Sequence, residues 1–181
     1  MRELTVRLRF TTPCLGNVRQ KDCISRKGHM YLMPRVGDDI RFEAKWWSTG
    51  MAFAANVLGK FHREVKKVHF DVAVDGRTDR RADKFYRRYF QQNGGGNRFV
   101  RHEAFEPGDV IGINTVVPSS ITNDDFWQLL DRLGRFRGVS PFGRGDEGFG
   151  RFEVESMREM KKENAHAGEG VQRRERDASG Q

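Results

Sequence analysis

Apolar and polar residues alternate from the start of the chain, with Leu4, Val6, Leu8 and Phe10 set against Arg2, Thr5, Arg7 and Arg9. A period of two is that of a strand with one buried face, so the first element is a half-buried strand. Residues 11 to 28 are polar and broken by Pro13 and Gly16, which reads as a long loop. The segments "MYLMPR" and "DIRFEA" flank the turn signal "VGDD" and suggest a short hairpin. The period then changes. In "KWWSTGMAFAANVLGKFH", Trp47, Met51, Ala54, Ala55, Leu58 and Phe61 fall on one helical face.

Strand character returns in "EVKKVHFDVAVDG" through Val65, Val68, Phe70, Val72 and Val74, and again in "VIGINTVV", with Gly94-Gly95-Gly96 as a hairpin tip between them. Thr122 followed by Asp125 is a variant capping box opening a second helix, whose apolar stripe is Phe126, Leu129, Leu130, Leu133 and Phe136. "FGRFEVES" supplies a last strand. Without its insertions the order is β-α-β-β-α-β, so the expected class is α+β and the expected fold ferredoxin-like. A β-hairpin insertion and a glycine-rich loop before the last strand complete it. Residues 1–156 are expected to form this single domain. From Met157 the chain turns charged and nearly free of large apolar residues, and 157–181 reads as a disordered tail.

With 181 residues and a net charge of +8, the chain has room for one real core and is basic enough to associate with polyanions. It contains no apolar run of membrane-spanning length, and "MRELTVRLRF" lacks the apolar core of a signal peptide, so a cytoplasmic location is expected. Cys14 and Cys23 lack paired zinc-ligand spacing and read as loop or packing thiols; neither a metal nor a cofactor is implied.

The stretch "GVSPFGRGDEGFGRFEVE" at residues 138–155 holds five glycines. Gly143, Gly145 and Gly148 match G-x-G-x-x-G, but a dinucleotide site needs a strand before that motif and a helix after it, and here the order is reversed. No Gly-Lys-Ser or Gly-Lys-Thr follows for a phosphate-binding P-loop, and the Arg144-Gly145-Asp146 tripeptide is no more than chance predicts. Two readings stay open. The glycines make a tight helix-to-strand connection, or their amides approach a phosphate that Arg144 and Arg151 also bind.

A glycine-rich loop after the last helix of a ferredoxin-like domain, leading into Gly148-Phe149-Gly150, resembles the RAMP superfamily of CRISPR-associated RNA-binding proteins. More loosely, the chain is similar to small phage and prophage proteins with a Leu-Gly pair after the first strand, here Leu15-Gly16. The likeness spans residues 3 to 156 in element order and 138 to 154 in motif; where RAMP loops often repeat the Gly-hydrophobic-Gly element upstream, Gly138-Val139 is followed by Ser140. The resemblance implies RNA backbone binding by the loop, membership of a larger ribonucleoprotein and, in some members, metal-independent RNA cleavage.

Between Arg77 and Arg101 lie eight basic residues and two acids, so this segment supplies most of the chain's net charge. Phe85, Tyr86, Tyr89, Phe90 and Phe99 are interleaved with the charges, the combination that binds phosphates and stacks unpaired bases; the alternative is an edge hairpin with core aromatics and solvated charge. The expected partner is RNA, or single-stranded DNA. The expected contacts are Arg80, Arg81, Lys84, Arg87, Arg88, Arg98 and Arg101, with Gly143, Arg144, Gly145, Gly148, Gly150 and Arg151 from the loop. If RNA is also cleaved, His29 and His102 are the candidate general bases. A third reading is a phage assembly protein whose basic face meets an acidic protein.

Overall fold

The computed structural model of the chain describes residues 1–19, 29–36, 39–71, 85–92, 96–140 and 148–160. Strand β1 (Arg2–Phe10) is the centre of the main sheet. Its alternation turns Leu4, Val6, Leu8 and Phe10 into the core, where all four are buried, and leaves Glu3, Arg7 and Arg9 exposed. Strand β10 (Val110–Val117) pairs antiparallel with it from Arg2↔Val117 to Arg9↔Val110, and β11 (Phe152–Glu159) pairs antiparallel on its other side. The short β7 (His69–Asp71) joins β10, giving the order β11-β1-β10-β7.

Helices α1 (Ala44–Leu58) and α2 (Asn123–Phe136) cover the apolar face of this sheet. Trp47, Met51, Ala54 and Ala55 of α1 meet Phe126, Leu129, Leu130 and Leu133 of α2 in one core. At Gly50 a β-carbon would fall 2.4 Å from a methyl of Leu133, so the glycine sets how closely the helices approach. Gly59, in the left-handed region, ends α1, and Thr122 caps α2 by accepting the Asp125 amide at 3.1 Å. The class is α+β, with two α-helices and mainly antiparallel sheets among the described residues.

Two insertions build a second sheet and a separate two-stranded one. Between β1 and α1 come β2 (Cys14–Leu15), β3 (Val18–Arg19), β4 (His29–Leu32), β5 (Arg35–Val36) and β6 (Asp39–Ile40); between β7 and β10 comes the hairpin of β8 (Phe85–Gln92) and β9 (Gly96–Phe105). Strand β9 pairs with β8 along most of its length, with β4 in parallel over residues 100–102, and with β2 at Ala104 and Phe105. Phe105 ties it to the main core by stacking on Phe10 at 5.5 Å.

Several elements differ from the sequence reading. The expected loop after β1 contains β2 and β3, which are two residues long and exist through pairing with distant strands. The expected hairpin is reduced to β5 and β6, and residues 29–32 join the second sheet instead. The strand expected from Val65 begins at His69, because Glu64–Lys67 is a turn of 3₁₀ helix; Val65 and Val68, three apart, suit that period and not a strand's. Phe136 is 54 % exposed at the last turn of α2, with Arg132 over its ring, because the chain turns at Gly138 and Val139 fills the core in its place. Strand β11 continues past 156: Glu159 pairs with Leu4 and the Met160 amide donates to the Glu3 carbonyl. The expected tail from residue 161 onward lies outside the described residues.

Candidate nucleic-acid interface

The two ends of the glycine-rich stretch are fastened together. Gly138 and Gly150 both have positive φ, and a β-carbon on Gly138 would lie 2.4 Å from the carbonyl carbon of Gly150. That space is filled by backbone: the Val139 amide donates to the Gly150 carbonyl at 2.9 Å. The Gly150 amide donates to the Pro13 carbonyl at 2.8 Å. Thr12 completes the junction, its Oγ1 donating to the Gly148 carbonyl at 2.7 Å and accepting the Arg151 amide at 2.8 Å. Gly148, Phe149 and Gly150 are all buried. The Gly150 amide is thus committed internally and is not the phosphate-facing amide that the sequence reading allowed; Gly150 serves the tight connection. Gly143, Arg144 and Gly145 lie outside the described residues.

Phe149 joins this turn to the second sheet. It packs with Leu15 of β2 and Ala104 of β9 in a small apolar cluster of its own. The end of the glycine-rich turn and the base of the basic hairpin, far apart in sequence, therefore pack against each other.

Along the hairpin the register sets Arg87 opposite Arg101, Arg88 opposite Val100 and Phe90 opposite Arg98. Like charges directly opposite on neighbouring strands destabilise a sheet. Arg80, Arg81 and Lys84 lie outside the described residues. On β4, His29 stands opposite Val100 and Tyr31 opposite His102, so the two candidate histidines sit on adjacent strands, a proximity no spacing in the sequence signals.

His102 is enclosed, with 1 % of its surface exposed. Its Nδ1 lies 2.8 Å from the Gly16 carbonyl, which requires a proton on that nitrogen, and its ring stacks on Tyr31 at 5.1 Å and 13°. Such a ring holds strands together, and its enclosure sets His102 apart from an exposed general base. Next to it, the Glu103 carboxylate accepts the Met33 amide at 2.7 Å and pairs with the Arg35 guanidinium, with side-chain exposures of 8 % and 14 %. Neither Thr12 nor the Arg35–Glu103 pair carried a sequence signal, since each depends on a partner more than sixty residues away.

The half-buried arginines separate into groups. Arg2 donates to the Ile121 carbonyl and Asn123, Arg35 to Glu103, while Arg132 and Arg137 lie over the rings of Phe136 and Phe53. Among the described residues, the guanidinium groups of Arg101 and Arg151 have neither an acceptor nor a ring. A partly desolvated cation without a counter-charge is costly to the free protein and is offset when an anion binds.

The open face of the main sheet is a poorer candidate. Its β1 positions are Glu3, Thr5, Arg7 and Arg9, and Arg7 and Arg9 both lie against Glu155. No aromatic residue stands among them to stack a base. Cys14 is buried with its Sγ 3.7 Å from the Val139 carbonyl, and burial pushes its thiol well above the ordinary range; Cys23 lies outside the described residues. Among the described residues no helix is long and apolar enough to cross a membrane. Neither protein-family models nor curated protein sequences match the chain.

Proposed function

We propose that this chain is an RNA-binding module that grips the nucleic-acid backbone with the β8–β9 hairpin and the glycine-rich turn. The observation that carries the reading is the pair of half-buried guanidinium groups, Arg101 and Arg151, that have no acceptor among the described residues, one on each of the two elements joined by Phe149. Phosphodiesters supply the missing charge, and the cross-strand Arg87 and Arg101 are a second place for one. Aromatic residues on the same hairpin supply stacking for unpaired bases.

The ferredoxin-like reading belongs to the same proposal. Taken in chain order, the four strands of the main sheet lie fourth, first, third, second, and a helix follows the first and the third. That antiparallel order is the one expected of a split β-α-β fold. The RAMP resemblance gives such a module a place as a subunit of a ribonucleoprotein.

Fluorescence anisotropy with labelled single-stranded RNA and the matching DNA tests the function. Wild type should bind, and Arg87→Glu with Arg88→Glu should weaken binding at least about tenfold. Unchanged affinity in that double variant would remove the hairpin from the interface. Co-purification with an acidic protein and no nucleic acid would instead favour the assembly-protein reading. Cleavage of RNA in EDTA that His29→Ala abolishes would extend binding to metal-independent endonuclease activity; the enclosure of His102 favours binding alone.

A further inference from the structure

Arg151 follows the glycine-rich turn, and its side chain folds back over it. A β-carbon on Gly148 would lie 2.8 Å from both Cζ and Nε of Arg151 and 2.9 Å from one terminal nitrogen. The guanidinium thus occupies the space that any other side chain at 148 would take. Gly148 also has φ of +61°, a left-handed conformation that glycine adopts without strain. The backbone on both sides is held by one hydroxyl, Thr12 Oγ1. The Arg151 Nε is enclosed and without a partner, whereas its two terminal nitrogens are neither enclosed nor hydrogen-bonded among the described residues.

We infer that Gly148 is a positioning residue for Arg151: it seats the guanidinium flat against the turn so that the terminal nitrogens meet one phosphodiester of single-stranded RNA as a preset fork. This rests on the RNA-binding reading and gives the glycine a different role from the one its motif suggests. Gly148 acts through an arginine, and not by offering its own amide. A long flexible side chain normally loses rotamer freedom on binding; one already seated in the free protein loses less, which raises affinity without adding a contact. Because the fork meets only phosphate oxygens, its contribution is independent of base sequence.

The test is the affinity of full-length protein for labelled oligouridylate, in a double-variant cycle at positions 148 and 151. Arg151→Gln should weaken binding about tenfold and lower the salt slope by about 0.7, the loss of one phosphate contact on a single strand. Arg151→Lys should bind more weakly than wild type and more tightly than Arg151→Gln while keeping the wild-type salt slope, because an ammonium keeps the charge and loses the fork. Gly148→Ala should weaken binding about threefold or more in the wild-type background and leave the Arg151→Gln background unchanged, since its effect runs through the guanidinium. Equal losses from Gly148→Ala in both backgrounds would overturn the positioning role. If Gly148→Ala does not fold, the lysine variant decides: wild-type affinity in Arg151→Lys would overturn the preset fork. Salt-independent or absent binding by wild type would defeat the RNA-binding reading itself, a result separate from either of these.

Discussion

Thr12 is the smallest change that should loosen the junction between the end of β1 and the glycine-rich turn. Thr12→Val keeps the side chain's shape and removes the hydroxyl that donates to the Gly148 carbonyl and accepts the Arg151 amide. Each hydrogen bond contributes about 1 kcal/mol net, and stranding partly buried backbone groups adds to this, so the expected loss is about 2–3 kcal/mol. For a domain of this size each kcal/mol shifts Tm by about 2–4 °C, which places the expected drop at about 4–12 °C. Thr12→Ser, which retains the oxygen, should stay within about 1 kcal/mol of wild type. Urea and thermal denaturation of the three proteins measure both values. A Thr12→Val protein within about 0.5 kcal/mol of wild type would refute the view that this hydroxyl fastens the turn.

Glu103→Leu should cost about 3–5 kcal/mol in urea denaturation, because it strands the Arg35 guanidinium and the Met33 amide, and adding Arg35→Met should recover the part due to the guanidinium; a single variant as stable as wild type would contradict the pairing. The Asp125 carboxyl is held below its ordinary range, first by the Thr122 hydroxyl and then by Lys60. Its folded-state pKa is depressed, so its contribution is present above the unfolded value near about pH 4 and is lost as pH falls through the folded one. Thr122→Ala should therefore raise the Asp125 titration midpoint seen by NMR, and an unmoved midpoint would refute the assignment. In a Cys23→Ser background, Cys14 should resist a thiol reagent until the protein unfolds, since burial disfavours its thiolate; fast labelling of the folded protein would contradict that burial.

Periodicity made the main sheet and its helices readable in advance. The alternation of Leu4 to Phe10, the stripe from Phe126 to Leu133 and the Thr122 cap each state a local preference that the fold keeps. Apart from the β8–β9 hairpin, which the glycine run signals, the second sheet is not readable in this way. Strands β2 and β3 have two residues each, and β4 finds its parallel partner about seventy residues away, so pairing and not propensity creates them. The glycines show the same boundary at the candidate site. Sequence says that Gly148 and Gly150 permit a close approach but not by what, and the answers are the Arg151 guanidinium and the backbone at Ser140. The sequence offers His102 as a candidate general base, and only the arrangement of Tyr31 and Gly16 around it reveals that it is enclosed.

On the proposed function, Arg101 and Arg151, which have no acceptor among the described residues, are the cations that meet a polyanion. Equilibrium binding of full-length protein to single-stranded RNA across a range of salt concentrations tests it most directly, with Arg101→Gln plus Arg151→Gln as the comparison. Log affinity should fall linearly with log salt, and the double variant should bind more weakly, with a slope smaller by about 1.4, two contacts at about 0.7 each. Binding with no salt dependence, or a double variant indistinguishable from wild type, would contradict it.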